Sequence, residues 1–171
     1  MGLGYLGEHL AKMLLNIGLK VQGWSRTPKN LIGIRSFTGE DGLVEMLKTT
    51  NYLACLLPNT SATKGILNMG LFEKMPKGSF LLNAGRGNQL VEEDLSMALD
   101  NGQIKGAALD VFIDEPMPES HPFWDDHRII ITPHHAAEVF IPSAANAFVE
   151  NIKRVRLGQS PKGLVDLNVG Y

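Results

Sequence analysis

The chain has 171 residues, with 16 Lys and Arg against 18 Asp and Glu for a formal charge of −2; 44% of its residues are hydrophobic and 20% charged. A chain of this size and apolar content buries one core, which excludes disorder. Its densest basic run is only Lys153, Arg154 and Arg156, so neither nucleic acid nor a membrane is expected as a partner. No segment reaches the ~18 apolar residues of a membrane span and no leader pattern opens the chain, which gives a cytoplasmic expectation.

Gly2-Leu3-Gly4-Tyr5-Leu6-Gly7 has the G-x-G-x-x-G spacing. It runs directly into apolar positions Leu6, Leu10, Met13, Leu14 and Ile17, which share one helix face, and Gly18 stands where that helix stops. The backbone N–H groups of such a turn and the helix dipole receive a dinucleotide pyrophosphate. The same fingerprint calls for a strand ahead of it, where only Met1 stands, so the first strand of the sheet is expected to be missing.

Lys20 to Ser25 reads as a strand. It ends in Trp24-Ser25-Arg26-Thr27, where an NAD-binding fold places a carboxylate on the ribose 2′-OH. A cation with two neighbouring hydroxyls suits a 2′-phosphate instead, so NADP(H) is preferred and NAD(H) remains possible. Leu43, Val44 and Leu47 mark a short helix closed by Lys48. Asn51 to Leu57 is a near-continuous apolar run ended by Pro58, the pattern of a strand buried on both faces. Cys55, the single cysteine, sits inside that run and reads as a small core hydrophobe, which leaves no internal disulfide and no Cys-rich metal site.

A helix is expected around Gly70 to Met75, a strand over Ser79 to Asn83, a helix over Glu92 to Asp100 stopped by Asn101-Gly102, and strands over Ile104 to Val111 and Arg128 to Thr132. The last element, about Ser143 to Leu157, carries an apolar stripe at Ala145, Phe148, Val149, Ile152 and Val155. Alternation of this kind predicts an α/β fold, a doubly wound parallel sheet of Rossmann type with helices on both faces.

Ligands of such sheets bind at the carboxyl ends of the strands. Three polar groups follow strand ends: Arg86 in Asn83-Ala84-Gly85-Arg86-Gly87, Glu115 before Pro116, and His134 in Thr132-Pro133-His134-His135. A cation that grips a carboxylate in a fork, an imidazole that moves a proton near neutral pH and a carboxylate to orient it are the parts needed to reduce a 2-keto acid.

These residues carry a resemblance that spans essentially the whole chain. The sequence resembles the cofactor-binding and C-terminal part of the D-isomer-specific 2-hydroxyacid dehydrogenases, within them the glyoxylate/hydroxypyruvate reductase A branch. The shared segments include Gly-Tyr-Leu-Gly at 4 to 7, Trp-Ser-Arg-Thr at 24 to 27, Leu-Leu-Pro-Asn-Thr at 56 to 60, Leu-Leu-Asn-Ala-Gly-Arg-Gly at 81 to 87, Leu-Asp-Val-Phe at 109 to 112, Glu-Pro-Met-Pro at 115 to 118, Pro-Phe-Trp at 122 to 124, Ile-Thr-Pro-His-His-Ala-Ala at 131 to 137, and the closing Gly170-Tyr171.

The resemblance implies that Arg86 holds the substrate carboxylate and helps polarise the keto oxygen, that His134 protonates that oxygen, and that Glu115 hydrogen-bonds the imidazole. It implies that Asp110 lies near the nicotinamide, that Leu57 and Pro58 line the cofactor channel with Ala84 and Gly85 alongside, and that Trp124 lies near the substrate mouth. His135 is expected to point elsewhere along an extended chain and receives no role; no metal ligands are expected. The implied division is a cofactor domain over 1–142 and, over 143–171, a helix and tail that pack on a substrate domain absent from this sequence. Two readings follow: a reductase of a small 2-keto acid, or a non-catalytic NAD(P)-binding module or inactive truncated fragment. The exposed stripe near Phe148 predicts self-association, with a homodimer as its simplest form.

Overall fold

The computed structural model describes residues 1–137 and 141–165; the closing Gly170-Tyr171 lies outside them. In chain order the elements are α1 (Tyr5–Asn16), β1 (Gln22–Trp24), β2 (Arg35–Phe37), α2 (Gly39–Leu47), β3 (Tyr52–Cys55), α3 (Met69–Phe72), β4 (Ser79–Asn83), α4 (Glu92–Asp100), β5 (Ile104–Leu109), β6 (Ile129–Ile131) and α5 (Ile141–Arg156), with short 3-10 turns at Gly87–Gln89 and Pro122–Trp124. The strands are parallel throughout: β3-β4-β5-β6 form one sheet in sequential order and β1-β2 a second, two-stranded one. This is the expected α/β, Rossmann-type arrangement, interrupted between β1 and β3.

The core lies between the four-stranded sheet and α2, α3 and α4, where Met46, Leu47, Leu53, Leu67, Phe72, Leu81, Leu95 and Ile104 are almost fully buried. Those side chains come from the apolar runs of the sequence, and burial of their surface, at roughly 25 cal/mol per Å², holds the helices on the sheet.

Several elements differ in detail from the sequence reading. The helix α1 is seated by its small residues: Gly7 and Ala11 are buried, while Leu6, Met13 and Ile17 are more than half exposed. A Cβ at Gly7 would stand 1.8 Å from the Gly2 carbonyl oxygen, so only glycine lets the helix approach its own loop this closely. The strand β2, three residues among glycines and polar residues, had no periodicity to announce it and exists through its pairing with β1. The apolar run at β3 is not buried on both faces; Tyr52 is exposed and stacks on Phe80 of the neighbouring strand, ring centroids 5.0 Å apart.

Arg128, at the entrance to β6, places its guanidinium on Asp126 (2.7 Å) and on Asp100 at the end of α4 (2.9 Å). The Arg128 hydrogen bonds outweigh burial and hold the Asp126 carboxyl down to about 2. A carboxyl with a depressed folded-state pKa stabilises the fold above its unfolded value, near 3.9, and loses that contribution as pH falls through about 2. The difference in thermal midpoint between the parent and Asp126→Asn is therefore expected to be full at neutral pH and to vanish by about pH 2; thermal unfolding followed by circular dichroism across that range checks it, and a pH-independent difference refutes it.

Contacts divide the chain after His134, and His135 opens a second unit that carries α5. Within this unit the segment after α5 folds back on it: Asn151 exchanges two hydrogen bonds with the Lys162 backbone and Arg154 Nε donates to the Ser160 carbonyl at 2.7 Å. Phe148, Val149, Ile152 and Val155 are all at least half exposed. No helix among the described residues is long and apolar enough to cross a membrane.

Candidate active site

The carboxyl ends of β4, β5 and β6 bring Arg86, Glu115 and His134 into one neighbourhood. Asn83 closes β4, and its side chain turns the chain: Oδ1 accepts from Gly85 N–H at 3.2 Å and Nδ2 donates to the Arg86 carbonyl at 3.2 Å. Arg86 follows, exposed, with Nη1 donating to the Gly85 carbonyl at 2.7 Å. Both flanking glycines are sterically required. A Cβ at Gly85 would meet Gln89 Oε1 at 2.2 Å, and one at Gly87 would meet the Phe112 carbonyl carbon at 1.9 Å. The Arg86 loop is thus pressed against the segment that leaves β5.

That segment carries Glu115. One carboxylate oxygen accepts the Phe112 N–H at 2.9 Å and the other lies 2.6 Å from His134 Nδ1. Burial pushes the Glu115 carboxyl up, but the Phe112 N–H, the His134 contact and the Arg86 charge outweigh it and hold the group below the ordinary carboxylate range. Glu115 is accordingly an anion at neutral pH.

His134 is the only non-glycine described residue with positive φ, at 53°, directly after Pro133. The expected extended chain at His134-His135 is therefore not what forms. The backbone turns, with His134 N–H donating to the Thr132 carbonyl at 3.1 Å, and the turn aims the imidazole at Glu115. A bulky residue in the left-handed region costs of order 1–3 kcal/mol and persists where its surroundings over-determine it. Asp110, buried directly after β5, accepts from Thr132 Oγ1 at 2.5 Å, which joins the exits of β5 and β6.

The sequence reading did not single out Gln89. Its fully buried amide donates to the Leu57 and Pro58 carbonyls, both at 3.0 Å, and accepts the Arg86 N–H at 2.9 Å, so one side chain ties the Leu57-Pro58 segment to the Arg86 loop. Cys55, also buried, directs its thiol to the same amide, and burial pushes that thiol up, consistent with an inert core residue. A glutamine three positions after Arg86, where the chain returns to the core, was the only sequence signal.

The glycine turn stands at the start of α1. Gly2 has φ of 89° and its missing Cβ lets the turn lie against the Leu56 carbonyl. The N-cap Gly4 makes no side-chain hydrogen bond, and a Cβ there would meet nothing within 4 Å. Uncapped first-turn amides beside Tyr5, Leu6 and Gly7, facing open space at Gly4, fit a dinucleotide phosphate. At the end of β1, Trp24 Nε1 donates to the Gly39 carbonyl and Ser25 Oγ to the Thr27 carbonyl, both at 2.8 Å, while Arg26 is exposed. Trp124 is half exposed, its indole N–H on the Pro118 carbonyl at 2.9 Å.

The family model of the D-isomer specific 2-hydroxyacid dehydrogenases, NAD binding domain, matches residues 1–136. The chain belongs to this dehydrogenase family. Among its relatives, glyoxylate/hydroxypyruvate reductase A of Photorhabdus laumondii is 46% identical over all 171 residues and that of Serratia proteamaculans 44%. The chain spans 55% of the length of each. Two solved structures of the family superpose with a TM-score of 0.95: a dehydrogenase from Xanthobacter autotrophicus in complex with NADPH and MES, at 38% identity over 99% of this chain and 70% of that one, and an NADPH-dependent glyoxylate/hydroxypyruvate reductase from Sinorhizobium meliloti in complex with NADP and sulfate, at 37% identity over 100% and 55%.

For a dehydrogenase domain, the position of Gly4 makes a test. Gly4→Ala is expected to leave the thermal midpoint within about 2 °C of the parent, since nothing opposes the added methyl, yet to weaken dinucleotide binding by about tenfold or more by filling the phosphate approach. Fluorescence titration with NADPH checks it; undiminished binding refutes the placement.

Proposed function

We propose that this chain carries the cofactor-binding and acid–base residues of an NADPH-dependent reductase of a small 2-keto acid, glyoxylate or hydroxypyruvate, with NADH as the weaker cofactor. The observation that supports it best is the 2.6 Å contact between His134 Nδ1 and Glu115 within the field of Arg86. When bound, the dihydronicotinamide supplies a hydride to the keto carbon. Gly2, Gly4, Tyr5, Leu6 and Gly7 would hold the pyrophosphate; Trp24, Ser25, Arg26 and Thr27 would hold the adenosine ribose and its 2′-phosphate. Leu57, Pro58, Ala84, Gly85 and Asp110 would line the way to the reacting carbon.

Arg86 grips the substrate carboxylate and polarises the keto oxygen through charge-assisted hydrogen bonds. With Nδ1 held by Glu115, His134 presents Nε2 as the proton donor to that oxygen. In the reverse direction the same nitrogen accepts the proton from the 2-hydroxy acid. Trp124 would border the substrate. The test is NADPH oxidation by the chain with glyoxylate and with hydroxypyruvate beside NADPH binding; binding with no turnover of either acid refutes the reductase reading.

The exposure of the acid–base pair, 45% for the His134 side chain and 35% for Glu115, favours a second reading. A site this wet binds cofactor without excluding water from the reaction, as a non-catalytic NAD(P)-binding module or inactive fragment would. The exposed stripe on α5 is the observation that favours a homodimer, which light scattering reads directly.

Arg26→Ala is expected to weaken NADPH binding by about tenfold or more while NADH changes by less than about twofold, since only the 2′-phosphate would lose a charge-assisted partner. Equal changes in the two dissociation constants remove the basis for NADP(H) preference.

A further inference from the structure

The side chain of Gln89 joins two segments that serve different reactants in the proposed reaction. Its planar amide carries two N–H donors on one side and an acceptor oxygen on the other, and all are used inside the protein. Nε2 donates to the Leu57 and Pro58 carbonyls, both at 3.0 Å; Oε1 accepts the Arg86 N–H at 2.9 Å and faces the Cys55 thiol at 3.6 Å. Two carbonyls on one side and an N–H on the other admit only this orientation of the amide. The side chain is fully buried, and Gly85 gives Oε1 its room, since a Cβ there would stand 2.2 Å away.

The two segments depend on this amide to different degrees. The Pro58 carbonyl also accepts the Thr63 hydroxyl at 2.7 Å, and the chain beyond is tied back by Gly65 N–H on the Asn88 carbonyl and Leu67 N–H on the Gln89 carbonyl. Arg86 stands extended, with φ of −143° and ψ of 150°. Among the described residues its N–H bonds only Gln89 Oε1, while its carbonyl accepts from Asn83 Nδ2 and from the Gln89 N–H, both at 3.2 Å. Gln89 thus supplies two of the three bonds on the Arg86 main chain. Loss of the amide frees the Arg86 loop first and leaves Pro58 its bond from Thr63.

We propose that Gln89 is a positioning residue for the keto acid: its amide fixes the Arg86 loop against the Leu57-Pro58 segment, so that the acid's carboxylate is gripped in register with the dinucleotide. Leu57 and Pro58 line the cofactor path and Arg86 holds the carboxylate in the reductase reading above, on which this role of Gln89 rests. Reaction demands close placement, and a shift of about 1 Å caused far from the reacting atoms costs about 10²-fold. Glutamine suits the task chemically. Asparagine is one methylene shorter, arginine has no acceptor, and an ionised glutamate has no donor for the two carbonyls.

The experiment compares the 171-residue chain with Gln89→Met, which keeps the length and loses the amide, and with Gln89→Glu, which keeps the shape. NADPH is titrated by fluorescence, and oxamate, an unreactive 2-keto-acid analogue, by calorimetry into the NADPH-saturated proteins from about pH 6 to about pH 9. Gln89→Met is expected to weaken oxamate by about tenfold or more and NADPH by less than about threefold. In Gln89→Glu, burial and the two facing carbonyls favour the protonated carboxyl, which still donates one hydrogen bond and accepts the Arg86 N–H. The Cys55 thiol beside it stays protonated, since burial pushes it up. The oxamate affinity of Gln89→Glu relative to the parent is therefore expected to be near one at the acid end and to fall by about tenfold as pH rises, a profile that lost packing does not give. Unchanged oxamate binding in Gln89→Met, equal weakening of both ligands, or a pH-independent ratio in Gln89→Glu overturns the proposal and leaves the reductase reading in place. A parent that fails to bind NADPH, or oxamate in its presence, overturns both.

Discussion

His134→Gln is expected to lower turnover of glyoxylate with NADPH by about 10²- to 10⁴-fold, the usual contribution of a positioned acid, while the NADPH dissociation constant stays within about twofold. Glutamine keeps a hydrogen-bonding group on the left-handed backbone at this position but presents no titrating proton. The loss therefore falls on kcat. Glu115→Gln is expected to fall between the parent and His134→Gln, because it keeps a hydrogen-bonding partner for Nδ1 and removes only the negative charge beside the ring. Steady-state kinetics of the three proteins with parallel fluorescence titrations separate rate from affinity. A His134→Gln protein with undiminished kcat would assign the proton to another group.

Gly87→Ala is expected to cost about 3 kcal/mol or more of stability, a fall of roughly 6–12 °C in the thermal midpoint, and to reduce turnover together with it. The added methyl meets the Phe112 carbonyl carbon at 1.9 Å and its oxygen at 2.0 Å, and both are backbone atoms that cannot swing aside as a flexible side chain does. Relief requires moving the strand exit that carries the Phe112 N–H, the donor to Glu115. Arg86 and Glu115 would separate as the strand moves, so the damage reaches the site as well as the core. Calorimetry and kinetics on one preparation check the pair of effects; an unchanged midpoint would show that this approach is looser than the geometry here.

How far the site was legible in the sequence varies with the kind of residue. Arg86, Glu115 and His134 were readable because each follows an apolar run that had to be a strand, and parallel strands deliver their carboxyl ends to one edge. Gln89 and Thr132 were not. A polar residue whose hydrogen-bond partner lies on a distant segment leaves no periodicity: the Leu57 and Pro58 carbonyls that Gln89 bonds lie about thirty positions away, and the Asp110 carboxylate that Thr132 bonds lies on another strand exit.

The sequence by itself determined the α/β class, the order of most helices and strands, the glycine turn at Gly2 to Gly7 and the charged residues at the strand ends, because periodicity, glycine spacing and strand-end position are local properties of the chain. Only the tertiary structure decided that Gly7 and Ala11 are the buried residues of α1, and that β2 exists at all. It alone turned His134 toward Glu115. Each of these depends on close approach between backbones distant in sequence, and steric fit of that kind is written in no single segment.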